Sequence, residues 1–240
     1  RSYRDNTDKG YFADKDGWNC VVEDMHTLYE QMHKACPAVP YIFLGHSMGS
    51  FLTRTYLITY PEDYDLAILS GTGHQSKALL NGGCLMADVI CKTQGAAAIG
   101  ETLNKIAFGS YLKRIDNPRT AFDWLSRDPA TVDAYVADEN CGFTAKNGLY
   151  RDMMHGLKFI TNPGNIAKMD KTKPVYFMSG KDDPVGDYGE GVERAYKAFC
   201  DAGCKDVTIR LYPGGRHEML NEINRQEVYQ DILNWINSKI

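Results

Sequence analysis

The feature that most constrains this chain is the order of three segments near its start. A short, wholly apolar run, Tyr41-Ile42-Phe43-Leu44, passes through Gly45-His46-Ser47-Met48-Gly49 into Phe51, Leu52, Tyr56, Leu57 and Tyr60, which repeat at helical spacing. An uninterrupted apolar run of this length fits a strand covered on both faces, as in a parallel sheet. A G-x-S-x-G pentapeptide at a strand-to-helix junction is the pattern of a sharp turn that lifts a serine above the sheet. Gly45 and Gly49 are needed there because the backbones pass too closely for side chains. His46, inside the turn, is expected to pack rather than titrate.

The remaining pattern extends this unit into an α/β architecture. A helix with Trp18, Val22, Met25, Tyr29 and Met32 on one face precedes the serine strand and must stop before Pro37. Buried strands are expected at 65–69 and 174–178, with a partly alternating strand at 207–212 near a sheet edge, and helices near 188–201 and 222–238. Strands alternating with helices specify a mostly parallel sheet with helices on both faces. Between the second and third strands, residues 74–170 show only helical patterns, around 84–94, 101–115, 118–136 and 148–160. That block is expected to be an inserted helical cap, leaving 1–73 and 171–240 as the core.

A serine hydroxyl is a poor nucleophile without a base. Of six histidines, His26 and His33 precede the turn, His74 follows the second strand and His155 lies in the helical block. Only His217 follows the last strand, in the loop Gly214-Gly215-Arg216-His217, at the strand edge where open parallel sheets bind ligands. An acid that orients this base belongs after the preceding strand. There Ser179-Gly180-Lys181-Asp182-Asp183-Pro184-Val185 offers Asp182 and Asp183, with Asp187 further on, and composition does not choose among them. The Met48 N–H, at the start of the following helix, is the donor placed to receive a developing oxyanion.

Composition narrows the alternatives. A formal charge of -4 gives no electrostatic footprint for nucleic acid, and no apolar stretch approaches a transmembrane length. The seven cysteines are scattered, with no C-x-x-C pair and no metal-ligand spacing, so free thiols in a reducing, cytoplasmic setting are expected and no metal or organic cofactor is implied. Oligomeric state is not readable from the chain.

Three motifs then carry a resemblance: Leu44-Gly45-His46-Ser47-Met48-Gly49-Ser50-Phe51, the Ser179–Val185 loop, and Arg216-His217-Glu218-Met219-Leu220-Asn221-Glu222. Together with Gly10-Tyr11-Phe12-Ala13-Asp14 and Asp123-Trp124-Leu125-Ser126-Arg127-Asp128, they resemble the monoacylglycerol lipase and lysophospholipase group of α/β-hydrolases, also described as serine aminopeptidase-like. The resemblance runs through essentially the whole chain. It implies an α/β-hydrolase fold with Ser47 as nucleophile, Asp183 as acid and His217 as base. It further implies hydrolysis of a small ester or lipid, monoacylglycerol or lysophospholipid in kind. A peptidase or acyltransferase of the same fold is the alternative.

One departure bears on activity. The group begins with further strands and a His-Gly loop that completes the oxyanion hole, whereas only 46 residues precede Ser47 and none forms a His-Gly pair. The first residue is Arg1, and at roughly 30 residues per strand–helix–strand unit the N-terminal strands are expected to be missing. The strand at 41–44 then has one obvious partner, 65–69. An inert hydrolase that binds ligand without turnover is the corresponding non-enzyme reading.

Overall fold

The computed structural model describes residues 9–240; the reading of the first eight residues as loop and core lies outside the described residues. Four parallel strands, β1 (Ile42–His46), β2 (Leu66–Ser70), β3 (Val175–Gly180) and β4 (Val207–Tyr212), stand in the order β1-β2-β3-β4. The register runs Leu44 beside Ile68, Ile68 beside Tyr176, and Tyr176 beside Thr208.

Strand periodicity of two divides the interior into two layers. Ala67, Leu69, Val175 and Phe177 point to one face, where they meet α1 (Gly17–Ala35), α2 (Met48–Thr59) and α8 (Glu190–Asp201) through Val22, Phe51, Leu57 and Phe199. Leu66, Ile68, Tyr176 and Met178 point to the other, onto Val228, Ile232 and Trp235 of α9 (Arg225–Asn237). β2 and β3 are buried throughout because helices cover both faces. Burial of one such side chain is worth about 1.5–3 kcal/mol. β1 pairs only with β2 among the described residues, and Leu44 on it is 46% exposed. The single partner expected from the sequence is the one observed.

Between β2 and β3 the chain forms α3 (Lys77–Gln94), α4 (Glu101–Phe108), α5 (Pro129–Ala137), α6 (Asn147–Ile160) and the short α7 (Pro163–Ile166). A small apolar cluster, Ala87, Leu103, Ala145 and Tyr150, sits inside this block. α6 also rests on the core: a Cβ at Gly156 would collide with the Trp18 ring, whose Nε1–H donates to Thr55 Oγ1 at 3.0 Å.

Several helix limits differ from the periodicity. α3 starts seven residues before the expected 84, because the Ser76 hydroxyl caps it by accepting from Leu79 N–H at 3.3 Å. The segment expected as helix over 118–136 is helical only from Pro129. Upstream, the Asp123 carboxylate accepts from Arg119 N–H (2.6 Å) and the Thr120 hydroxyl (2.6 Å), a local arrangement that competes with helix. Helix 101–115 stops at Phe108, where Gly109 follows. The last helix starts at Arg225, not 222, because Glu222 is extended (φ -78°, ψ 165°) and its carboxylate serves another segment.

Candidate active site

The chemistry-bearing residues gather at the carboxyl ends of the strands, where a parallel sheet leaves its ligand crevice. Ser47 follows β1 directly with φ 54° and ψ -125°, a backbone conformation costly for a residue with a Cβ. Its N–H is held by the Ser70 carbonyl at 2.9 Å and its carbonyl accepts from Ser50 N–H at 2.8 Å, so strand and helix fix the turn from both sides. A Cβ on Gly45 would fall on Thr53 Oγ1 and the Gly49 carbonyl, which is why glycine stands there; at Gly49 the expected crowding is not found, because a Cβ would meet nothing within 4 Å. Met48 opens α2, and the first N–H groups of a helix have no partner inside it.

Asp183 lies in the loop after β3 and is fully buried. Its Oδ2 accepts from the Ser179 hydroxyl at 3.0 Å and lies 2.9 Å from His217 Nδ1, while Oδ1 accepts from Val185 N–H at 2.9 Å. Asp182, its neighbour, is exposed, and Asp187 pairs instead with Arg194 at 2.8 Å. The structure therefore brings Asp183, rather than Asp182 or Asp187, onto the histidine. Closeness of the two loops is enforced by Gly180, where a Cβ would strike the Gly215 and Arg216 carbonyls.

His217 is 2% exposed. Its Nδ1 faces Asp183; its Nε2 is shielded from solvent and has no hydrogen-bond partner, the Ser47 hydroxyl included. The ring lies 4.6 Å from that of His46 and 5.1 Å from that of Trp124, centroid to centroid. His46 Nδ1 meets the Ser70 hydroxyl at 3.1 Å. Burial, with His217 beside it, pushes the His46 imidazole down to about 4, so it is uncharged at neutral pH. The other histidines are elsewhere: His26 on Asp63 (2.7 Å), His33 stacked on Tyr29 (5.3 Å between ring centres), His155 on Asp88 (3.0 Å), and His74 beyond β2.

Three groups around the histidine have contacts that the sequence reading did not foresee, although Trp124 and Glu222 lie in the motifs that carry the resemblance. Trp124 covers the imidazole, and its carbonyl accepts from His217 N–H at 3.3 Å. Tyr111 packs edge-on against Trp124; burial, then the Asp183 carboxylate and Tyr188, raise its phenol above the ordinary value. Glu222, in the string that follows His217, ties the loop to Arg127. Its distance of five residues from the histidine was visible in the chain, but nothing in that spacing marked it as buried.

Gly71, after β2, has φ +58°, and a Cβ there would lie 2.9 Å from His217 Cε1 and 3.1 Å from His46 Cε1. Gly71→Ala is therefore expected to lower kcat at least tenfold by displacing the imidazole. Gly203→Ala, at φ +91° with nothing within 4 Å, carries only backbone strain of about 1–3 kcal/mol and leaves kcat unchanged. Equal kcat for both variants would contradict the displacement.

The family model described as serine aminopeptidase, S33, matches residues 6–224. The chain belongs to that serine aminopeptidase family. Among curated relatives, the monoacylglycerol lipase of Mycolicibacterium smegmatis is 29% identical over 227 residues, covering 91% of this chain and 70% of that one. The monoglyceride lipase of Saccharomyces cerevisiae is 25% identical over 228 residues, covering 90% and 67%. Of solved structures, a thermostable carboxyl esterase from Bacillus coagulans in complex with glycerol superposes with a TM-score of 0.86 at 28% identity, over 92% of this chain and 72% of that one. A soluble variant of the yeast monoglyceride lipase, at 20% identity and a TM-score of 0.70, supports the fold alone. The resemblance drawn from the three motifs holds at the level of family and fold: this serine aminopeptidase family member is an α/β-hydrolase.

Proposed function

We propose that this family member is a carboxylic ester hydrolase working through Ser47, His217 and Asp183, with a monoacylglycerol or lysophospholipid-like substrate. The ester-hydrolase reading is supported by the lipase and esterase relatives. The observation that carries the mechanism is the buried pair of His217 Nδ1 and Asp183 Oδ2 at 2.9 Å, which leaves Nε2 as the unpartnered acceptor beside the serine turn.

In this reading Ser47 Oγ adds to the ester carbonyl and its proton passes to His217 Nε2. Asp183 holds the ring in the tautomer with hydrogen on Nδ1 and stabilises the imidazolium. The Met48 N–H donates to the tetrahedral oxyanion. The C–O bond to the alcohol breaks as His217 returns its proton to the leaving oxygen, and an acyl-serine remains. Water, deprotonated by the same Nε2, adds to that acyl group and releases the acid. The block at 74–170 acts as the cap, with Trp124 and Tyr111 of its segment over the triad. Of the apolar side chains in this block, Leu80 is buried, whereas Leu79, Leu85, Met86, Ile106 and Phe108 are exposed and are candidates to line an acyl groove. No helix among the described residues is long and apolar enough to cross a membrane.

The family description itself keeps a second reading, cleavage of an N-terminal residue from a peptide by the same serine. One experiment addresses both. A fluorophosphonate probe should label the protein at Ser47, mapped by mass spectrometry, and Ser47→Ala should remove the label and lower kcat roughly 10⁶-fold. Turnover is compared on a monoacylglycerol, a short p-nitrophenyl ester and an aminoacyl amide; faster amide cleavage would favour the peptidase. Labelling that survives Ser47→Ala would refute the nucleophile.

A further inference from the structure

The nucleophile helix α2 carries Arg54, which is fully buried yet has no carboxylate partner among the described residues. Its Nη1 donates to the Gly73 carbonyl at 2.7 Å and to Thr72 Oγ1 at 3.4 Å, and its Nη2 donates to the Ile160 carbonyl at 3.3 Å. Nε has no partner, and the guanidinium carbon lies 5.8 Å from the centre of the Phe199 ring. Burial pushes the group down to about 9, which still leaves a cation at neutral pH. A buried charge held only by neutral oxygens is an expensive way to fill space; an apolar side chain of equal volume would be easier to bury.

The oxygens it grips explain its place. Thr72 and Gly73 belong to the loop leaving β2, and Ile160 ends α6 of the helical block. That loop touches both partners of the acid–base pair or the segments that carry them. On one side Gly71 backs directly onto His217 and His46, leaving no room for a Cβ. On the other, the Thr72 carbonyl and Gly73 are packed against Gly186 and Val185, in the loop that carries Asp183. Gly71 and Gly73, two residues apart, thus border His217 and the Asp183 loop respectively.

We propose that Arg54 is a positioning residue for the hydrolytic reaction: its buried guanidinium clamps the Thr72–Gly73 loop and the end of α6, and thereby sets the geometry of His217 against Asp183. The proposal rests on the triad reading above but concerns a residue that touches neither substrate nor reacting atoms.

The test uses Arg54→Met, which fills the same space without hydrogen bonds, and Arg54→Lys, which keeps the charge and one bond but loses the fork. Each is assayed with a short soluble ester for kcat and KM. Melting temperature is measured in parallel, as is the low-field proton resonance of His217 Nδ1–H. Arg54→Met should lower kcat about 10- to 100-fold with KM within about twofold, and shift or broaden the resonance; Arg54→Lys should recover part of both. A folded Arg54→Met with parental kcat and resonance would overturn the proposal. A lower melting temperature with both unchanged would overturn it too, marking Arg54 as support for the fold alone. Should Arg54→Met not fold, Arg54→Lys decides by the same readouts. The resonance reports the His217–Asp183 geometry whatever the nucleophile, so retention of the fluorophosphonate label in Ser47→Ala would sink the triad reading without deciding this one.

Discussion

Replacing Asp183 by asparagine is expected to lower kcat by about four orders of magnitude while the protein stays folded. The carboxylate has two oxygens for three donors: Oδ2 serves Ser179 and His217, and Oδ1 serves the Val185 N–H. An amide has one oxygen. Keeping it on Val185 turns the NH₂ toward His217 Nδ1, which must then become the acceptor. The imidazole proton moves to Nε2, and the atom needed to take the Ser47 proton is no longer a base. Turning the amide the other way leaves the Val185 N–H facing an NH₂ in a fully buried site, so the first orientation is favoured. The effect is read as kcat on a p-nitrophenyl ester, with the melting temperature as the check on folding. A loss smaller than tenfold in a folded protein would remove Asp183 from its role.

Glu222→Ala should produce the largest loss of stability. Glu222 is fully buried, and its carboxylate accepts from Arg127 N–H, Arg127 Nε and Arg216 N–H at 3.0 Å each and from Ile223 N–H at 2.9 Å. Truncation orphans three backbone donors and leaves the Arg127 guanidinium without its counter-charge. Breaking a buried pair of this kind costs about 3–5 kcal/mol, or roughly 6–20 °C of melting temperature at this chain length. Arg127→Ala should also destabilise, because it leaves the fully buried Glu222 carboxylate without its counter-charge, although the backbone donors of Arg127, Arg216 and Ile223 still serve it. Because Arg216 precedes His217, and Arg216 Nη1 also holds the Asp123 (2.5 Å) and Ser126 (3.1 Å) carbonyls, kcat should fall with stability in Glu222→Ala. A change in melting temperature under about 3 °C, followed by calorimetry, would contradict this account.

Much of the fold was legible because strand burial and helix periodicity are local. The runs at 65–69 and 174–178 read as two-sided strands and are β2 and β3, buried throughout, whereas the run at 41–44 is β1 but is not covered on both faces, since Leu44 is 46% exposed. Less legible were the stretches where side chains bind backbone. Asp123 unwinds the segment before Pro129, Ser76 starts α3 early, and Glu222 delays α9; in each case a polar side chain competes with the helix for the same N–H groups, and hydrophobic spacing carries no trace of it.

The site divides along the same line. Ser47 announced itself as the centre of a G-x-S-x-G turn between strand and helix, although the structure crowds only Gly45 and leaves space at Gly49. His217 followed from its place after the last strand. The choice of Asp183 over Asp182 came from resemblance, and only the tertiary structure puts one carboxylate against His217 Nδ1 and turns the other to solvent. The contacts of Arg54, Gly71, Trp124 and Glu222 could not be read from the chain, although Trp124 and Glu222 lie in the motifs that carry the resemblance, because they join distant residues, 95 positions apart for Arg127 with Glu222 and 106 for Arg54 with Ile160. Short-range sterics can be read from neighbouring residues; burial, desolvation and the pairing of distant charges come into being only when the segments pack.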